Sequence, residues 1–430
     1  MKIAVVGAGY VGLVSGACFA ALGNRVTCVD IDPKKIALLK KGRAPIYEPG
    51  LEKLINENIK KKNIAFTTDL KSAVRKSDVI FIAVGTPPKP NGEADLSFVE
   101  NVARTIAREI RTYKLIVEKS TVPVQTGEWI RQTITRFAPK GVPFDVASNP
   151  EFLREGTAIQ DFMNPDRIIL GVESPRARKI LTELYKPLKS KILITDIKSA
   201  EIIKHASNSF LAMKISFINA ISNICEATKA DVELVATGMG LDRRIGKNFL
   251  NAGLGFGGFC FPKDLSAFIR LSEKLGYDFE LLKAVERINE QQKKVFIKKI
   301  EEAIWNIGAK TIGILGLSFK PNTDDMRFAP SVDIIAALQA QGAKIKAFDP
   351  HAMPKARGLL KNVEFCKDAY AVAKGSDCLA ILTEWDVFKE LNFARVKKLL
   401  NQPVIVDGRN IYDPKRMKSL GFRYSSMGRP

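Results

Sequence analysis

Three groups of residues in this chain have types and spacings suited to chemistry. The first is Gly7-Ala8-Gly9-Tyr10-Val11-Gly12 after a short apolar run, with Asp30 closing the next apolar run 23 positions beyond Gly7. That is the pattern of a dinucleotide-binding turn, strand then glycines then helix. Gly7 permits the tight turn, Gly9 lets a pyrophosphate approach backbone N–H groups at a helix N-terminus, and Gly12 allows helix and strand to pack closely. Asp30 would accept hydrogen bonds from an adenosine ribose and repel a 2′-phosphate, so NAD is expected rather than NADP. Lys35 reads either as a second ribose contact or as a surface lysine of the following helix.

The second group is Phe249-Leu-Asn-Ala-Gly-Leu-Gly-Phe-Gly-Gly-Phe-Cys-Phe-Pro-Lys-Asp264. Its glycines suggest backbone passing very close to a ligand. Pro262 fits the first helical position, which would set Cys260 just before a positive helix end. With Lys263 nearby, that placement is expected to lower the thiol's pKa and enrich the thiolate. Composition alone favours another reading, a buried apolar cysteine between Phe259 and Phe261. Asp264 follows four residues on. The third group is Lys204 and Asn208, spaced i, i+4 and hence on one helix face. A lysine and an amide there either stabilise a developing oxyanion or simply face solvent. His205 points elsewhere and is assigned to packing or a capping hydrogen bond. Cys18, Cys28, Cys225, Cys366 and Cys378 read as small core hydrophobes.

These groups need a scaffold, and the apolar pattern outlines one. The first ~195 residues alternate apolar runs with amphipathic segments, the rhythm of a parallel sheet covered by helices. Strands are expected at Ile3–Val6, Val26–Val29, Val79–Val84, Leu115–Glu118, Phe144–Ala147 and Ile168–Gly171, with a Pro-rich loop (Pro87, Pro88, Pro90, Gly92) after one strand end. From Ile197 to Glu226 the period becomes helical without a Gly or Pro. A helix of that length suits a link between two halves and a subunit interface. A further helix is expected from Leu281 to Trp305. The opening pattern then returns from Lys310, with a helix around Ile334–Gln339, a strand Ile345–Phe348 ending at Asp349, and strands near Cys378–Leu382 and Val404–Val406. The expected architecture is α/β: two Rossmann-like parallel-sheet domains, residues 1–196 and an abbreviated 306–430, joined by a central helical region, 197–305.

Composition excludes several classes. At 430 residues with 46% hydrophobic and 26% charged, the chain is that of an ordinary globular protein with more than one domain. No apolar run suffices for a membrane-spanning helix and the start resembles no signal peptide, so an intracellular, cytoplasmic protein is expected. The cysteines form no CxxC pair and only two histidines, His205 and His351, are present, so no metal site is expected. General-base chemistry then falls to Lys, Asp, Glu or a thiolate. The formal charge of +21 suits an anionic ligand. Most of the excess reads as a lysine-rich solvated surface; without aromatic interleaving, no nucleic-acid partner is expected.

Together the motifs resemble the UDP-glucose/GDP-mannose dehydrogenase family nearly end to end. Besides the groups above they include GTP at Gly85–Pro87, STVP at Ser120–Pro123, NPEFLREG at Asn149–Gly156, DRRIG at Asp242–Gly246, FKPNTDDMR at Phe319–Arg327 and DGRN at Asp407–Asn410. The resemblance implies an N-terminal NAD domain, a central dimer-forming region and a C-terminal domain holding the nucleotide of a nucleotide sugar. It implies NAD contacts from Val11, Asp30, Lys35, Thr86, Thr121, Glu155, Lys263 and Arg327. The sugar nucleotide would be lined by Glu151, Phe152, Leu153, Arg154, Glu155, Lys204, Asn208, Phe249, Leu250, Asn251, Ala252, Gly253, Gly257 and Lys320, with Arg409 also touching it and Arg244 reaching the partner subunit's sugar in a homodimer. Cys260 would be the nucleophile. After a first two-electron oxidation it would capture the aldehyde as a thiohemiacetal, and a second NAD would turn this into a thioester that water hydrolyses. Lys204 and Asn208 would stabilise the oxyanions, while Asp264, Glu151 and Thr121 are the candidates for activating water, Asp264 first.

Three positions depart from the family pattern: Phe259 for a small polar residue, Ala220 where Glu is frequent, and Phe328 for an acidic residue. UDP-glucose is the expected substrate on the strength of Phe249-Leu-Asn-Ala-Gly and the following Phe-Gly-Gly. The alternatives are GDP-mannose or a UDP-N-acetylhexosamine, a two-electron hydroxyacid dehydrogenase that would not need Cys260, and a non-catalytic NAD- or polyanion-binding protein.

Overall fold

The computed structural model describes all 430 residues. They form two compact units, Met1–Ser207 with Ser266–Leu275, and Asn208–Leu265 with Gly276–Pro430.

The first unit is built on eight strands: β1 Lys2–Val6, β2 Arg25–Val29, β3 Ile64–Thr67, β4 Val79–Ile82, β5 Lys114–Glu118, β6 Phe144–Ser148, β7 Ile168–Gly171 and β8 Ile192–Thr195. Their order is β3-β2-β1-β4-β5-β6-β7-β8. All neighbours are parallel except β6 and β7. The interior strand β4, Val-Ile-Phe-Ile, reads as an unbroken apolar run because both faces of the sheet are covered by helices. Helix Tyr10–Ala21 shows how tight that cover is: its residues from Gly12 to Ala20 are buried, and a Cβ on Gly16 would lie 2.5 Å from the sulfur of Cys28. One face of the sheet packs around Phe19, Phe81 and Leu170, the other around Ile80, Ile106 and Ile116.

The second unit carries six strands: β9 Thr311–Leu315, β10 Lys344–Phe348, β11 Val363–Phe365, β12 Cys378–Ile381, β13 Val404–Asp407 and β14 Arg423–Ser426. They run in the order β11-β10-β9-β12-β13-β14 and are parallel throughout. This sheet is fuller than the abbreviated unit expected. The strands not anticipated, β3, β8, β11 and β14, are the four sheet edges, where burial is partial and apolar residues need not run on.

The long helix spans Ile197–Thr228, two residues beyond the expectation. The next runs Glu280–Ile304, and Trp305, expected inside it, lies past its end with φ 63°. No helix is long and apolar enough to cross a membrane.

Candidate active site

The candidate residues fall into two groups, one in each unit. In the first, the turn after β1 has the form a dinucleotide needs. Gly7 adopts φ 103°, and a Cβ there would lie 2.5 Å from the carbonyl oxygen of Ala83. A Cβ on Gly12 would fall 1.9 Å from the carbonyl oxygen of Gly7, so this glycine seats the helix on the turn. Gly9, which caps the helix, behaves oppositely: nothing lies within 4 Å of its added Cβ. The protein fills the space around two glycines and leaves it open at the third, where a pyrophosphate would meet the helix N-terminus. Val11 is partly exposed in that first turn.

Asp30 directly follows its strand, with a carboxylate fixed by the backbone amides of Ala8, at 2.9 Å, and Asp32, at 3.0 Å. Asp32 in turn caps helix Pro33–Lys40 through the amides of Lys34 and Lys35, which sets the Lys35 ammonium 3.7 Å from Asp30. Beside them Ile31 is 91% exposed, an apolar platform of the kind a purine covers. These residues fit NAD. Thr86 is buried and donates to the carbonyl oxygen of Thr121 at 2.9 Å, tying two of the expected cofactor contacts together.

Glu151 is buried in the loop after β6. Its carboxylate receives the Lys204 ammonium at 3.0 Å and the amide of Leu153 at 2.6 Å. Phe152 presents its ring to Lys204, 5.2 Å away, and to Arg167, 3.7 Å away. Glu155 is partly buried in the same loop, while the Arg154 guanidinium is exposed and bonded to Asp161 at 2.5 Å. His205 Nε2 donates to the carbonyl oxygen of Val122 at 2.8 Å, and its ring lies beside Phe268.

Around Glu151 the sequence reading missed a buried charge cluster. Lys119, 4% exposed, donates to Asn149 Oδ1 at 3.0 Å and so grips the loop two residues before Glu151. Desolvation brings its pKa down to about 8, against the opposing pull of Glu151 and Glu118. Burial also holds Glu118 well above the usual carboxylate range and raises Glu201 to about 7, although Glu201 accepts from the amides of Gln125 and Gly127. The signal available in the sequence was the Glu118-Lys119 pair at the end of an apolar run.

Cys260 belongs to the second unit, and helix Cys260–Lys274 begins at the cysteine itself rather than at Pro262. Proline is tolerated there because amides of the first turn have no intrahelical acceptor to lose. Cys260 is the one exposed cysteine of the six, and Phe261 turns away to pack on Phe249 and Phe256. The other five thiols are buried, and burial pushes those of Cys18, Cys28 and Cys378 up to about 12. The reading of Cys260 as a core cysteine therefore does not hold, whereas for the other five it does.

One turn beyond, Asp264 is fully buried and accepts from Asn208 Nδ2 at 2.7 Å, with the Lys263 ammonium 2.9 Å away. Lys263 also lies 5.5 Å from the Phe259 ring, and the Arg327 guanidinium sits 4.2 Å from it. Arg327 is bonded to Asp325 through Nε and Nη2. Phe259, a departure from the family pattern, thus packs against two expected cofactor contacts. Phe328, another, has φ 52° and is half exposed; Ala220 is partly buried on the long helix.

The glycines before Cys260 are also required by the chain's own packing. A Cβ on Gly253, Gly255, Gly257 or Gly258 would meet Gly408 at 2.9 Å, Asn289 at 2.8 Å, Phe328 at 2.3 Å or Phe319 at 2.7 Å. Leu250 and Ala252 likewise bury their side chains in a core with Ile218 and Val232, while Asn251 is exposed. Phe249 has φ 66° and Lys320 extends past the Phe319 ring. Arg409 donates to the carbonyl oxygens of Leu382, Gly255 and Phe319, tying three loops. Arg244 stands out on the surface, bonded to Asp242 at 2.6 Å.

The family models match in register with these groups. Residues 1–189 match the NAD binding domain of the UDP-glucose/GDP-mannose dehydrogenase family, 198–291 its central domain and 313–414 its UDP binding domain. The chain is 51% identical over its whole length to the UDP-glucose 6-dehydrogenase TuaD of Bacillus subtilis, covering 93% of that protein, and 47% identical to the UDP-glucose 6-dehydrogenase of Rhizobium meliloti, with both chains fully covered. Among solved structures it resembles a UDP-glucose dehydrogenase from Pyrobaculum islandicum with TM-score 0.93 and 41% identity, over 98% of this chain and 96% of that one. Cradle, domain series and full-length relatives agree: this chain belongs to the UDP-glucose/GDP-mannose dehydrogenase family.

Proposed function

We propose that this protein is an NAD-dependent UDP-glucose 6-dehydrogenase, converting UDP-glucose to UDP-glucuronate in two oxidations with Cys260 as the covalent carrier. The observation that supports a nucleophilic role is that one thiol of six is exposed, in the first turn of a helix whose N-terminal dipole favours the anion. The substrate follows the relatives at 51% and 47% identity; solved N-acetylhexosaminuronate-type dehydrogenases are more distant, such as the UDP-D-ManNAc dehydrogenase from Pyrococcus horikoshii at 26%.

Gly7, Gly9, Val11, Gly12, Asp30, Lys35, Thr86, Thr121, Glu155, Lys263 and Arg327 would hold NAD, which would serve as the two-electron acceptor for each oxidation. The chain's own residues manage the carbon. The Cys260 sulfur adds to the C6 aldehyde, forming one C–S bond and placing a negative charge on the former carbonyl oxygen. Lys204 and Asn208 stabilise that oxyanion, each donor contributing about 3–4 kcal/mol. Oxidation of the thiohemiacetal leaves a thioester. Water then adds to its carbonyl carbon, the C–S bond breaks, and the thiolate leaves. Asp264, held in place by Asn208 and Lys263, is our first choice for taking the water's proton, with Glu151 and Thr121 positioning the water.

The domain assignment we propose is 1–196 for NAD, 197–305 for linkage and dimerisation and 306–430 for the UDP-sugar. A homodimer is supported by Phe210, Phe217 and Ile224, exposed at seven-residue spacing along the long helix, where an apolar stripe calls for a partner. Arg244, largely exposed, would reach the partner subunit's sugar. A cytoplasmic location follows from the cofactor and the substrate.

The test is an NADH assay across UDP-glucose, GDP-mannose and UDP-N-acetylated hexoses. We expect two NADH per UDP-glucose with only UDP-glucuronate released; one NADH, or turnover of another sugar alone, overturns the assignment.

A further inference from the structure

Between β6 and helix Ala158–Met163, the loop Asn149–Thr157 contains no helix or strand, yet it carries Glu151 to Glu155. Such a segment is held by whatever groups satisfy its backbone. At its far end Asp161 accepts from the amide of Arg154 at 2.9 Å, and a second carboxyl holds the residues beyond. Glu48, 6% exposed and outside every motif above, accepts from the amide of Gly156 at 2.6 Å through Oε2 and from the amide of Ala158 at 2.7 Å through Oε1. Gly156 has φ 85°, so the direction of its N–H depends on glycine.

A second group shares this hold. The Tyr10 hydroxyl donates to Glu48 Oε2 and accepts from the same Gly156 amide at 2.9 Å. Tyr10 is the first residue of helix Tyr10–Ala21, directly after the glycine whose surroundings are open. Its position is therefore set by the helix end expected to receive the pyrophosphate. Glu48, Tyr10 and Gly156 close a triangle between segments 146 and 108 residues apart in sequence. The Tyr10 hydroxyl and the Glu48 carboxyl thus converge on one backbone amide, that of Gly156.

We propose that Tyr10 and Glu48 are positioning residues that carry the state of the dinucleotide helix to the loop Glu151 to Gly156, so that filling the cofactor turn fixes the segment that lines the sugar. The proposal rests on the reading above that this loop meets the nucleotide sugar. Its effect on turnover is ordering: NAD prepares the loop that Glu151 and Glu155 occupy.

The experiment is amide hydrogen exchange at Gly156 and Ala158 in the full-length protein, with and without NADH alone, in the parent, Tyr10→Phe and Glu48→Gln. Tyr10→Phe keeps the ring that packs on the core and removes only the hydroxyl. In the parent, NADH slows exchange at Gly156 by about tenfold, the equivalent of one added hydrogen bond's worth of stability. In Tyr10→Phe, NADH binds but that ratio falls to one, while Ala158 keeps its protection through Glu48. In Glu48→Gln both amides exchange faster even without ligand. A merely structural bridge would speed exchange equally in both states and leave the NADH ratio at its parent value, which overturns the proposal. So does an unresponsive parent, or loss of NADH binding in folded Tyr10→Phe, since Tyr10 would then belong to the cofactor site itself. No sugar is present, so failure of the UDP-glucose assignment shows separately, in the NADH assay.

Discussion

The two sheets open with the same turn and close it differently. In the first unit Gly7, at φ 103°, donates its N–H to the carbonyl oxygen of Val29 at 2.7 Å; in the second Gly316, at φ 94°, donates to that of Phe348 at 2.9 Å. An aspartate directly follows the second strand of each. Asp30 accepts from the amide of Ala8 at 2.9 Å, and Asp349 from the amide of Leu317 at 2.7 Å. There the likeness stops. Asp349 is 1% exposed and also takes the Ser318 amide and hydroxyl, the Trp385 indole N–H, and the amides of His351 and Ala352. Its lone pairs are committed to the protein, so it has none to offer a ribose. The helix after Gly316 starts only at Pro330, whereas that after Gly7 starts at Tyr10. One frame thus yields a cofactor turn when left open and a structural corner when filled from within.

That contrast predicts opposite responses to equivalent changes. Asp349→Asn, which points an amide at several buried donors, should lower folding stability by about 3 kcal/mol and leave NAD affinity untouched; denaturant titration and calorimetry read the two. Asp30→Asn should weaken NAD binding by about 2 kcal/mol, roughly 30-fold, with a smaller loss of stability than its counterpart. A variant that weakened NAD through Asp349 would erase the distinction. The glycines sharpen it further. Gly316→Ala, with Thr383 atoms 2.4 Å from the new Cβ, should cost about 2 kcal/mol of stability. Gly9→Ala, entering open space, should stay within about 0.5 kcal/mol of the parent in stability while weakening NAD.

Legibility in the sequence followed burial. Strands inside the sheets, such as β4 and β12, are buried at every position and read as continuous apolar runs. The edges do not: β8 has no fully buried residue and β14 reads Arg-Tyr-Ser-Ser. The glycine motif and Asp30 were legible because local turn geometry dictates both. Glu48 was not, since its partners lie 38, 108 and 110 residues away and nothing in Tyr47-Glu48-Pro49-Gly50 marks a periodic element. The glycines around Gly257 were legible as places of close approach, and an added Cβ there meets the chain itself.

The covalent role of Cys260 is tested most directly by mass spectrometry of the full-length protein quenched during turnover with UDP-glucose and NAD. The account predicts a sugar-nucleotide adduct that peptide mapping places on Cys260 and that disappears in Cys260→Ala. An unmodified Cys260 in an enzyme still releasing UDP-glucuronate would contradict it.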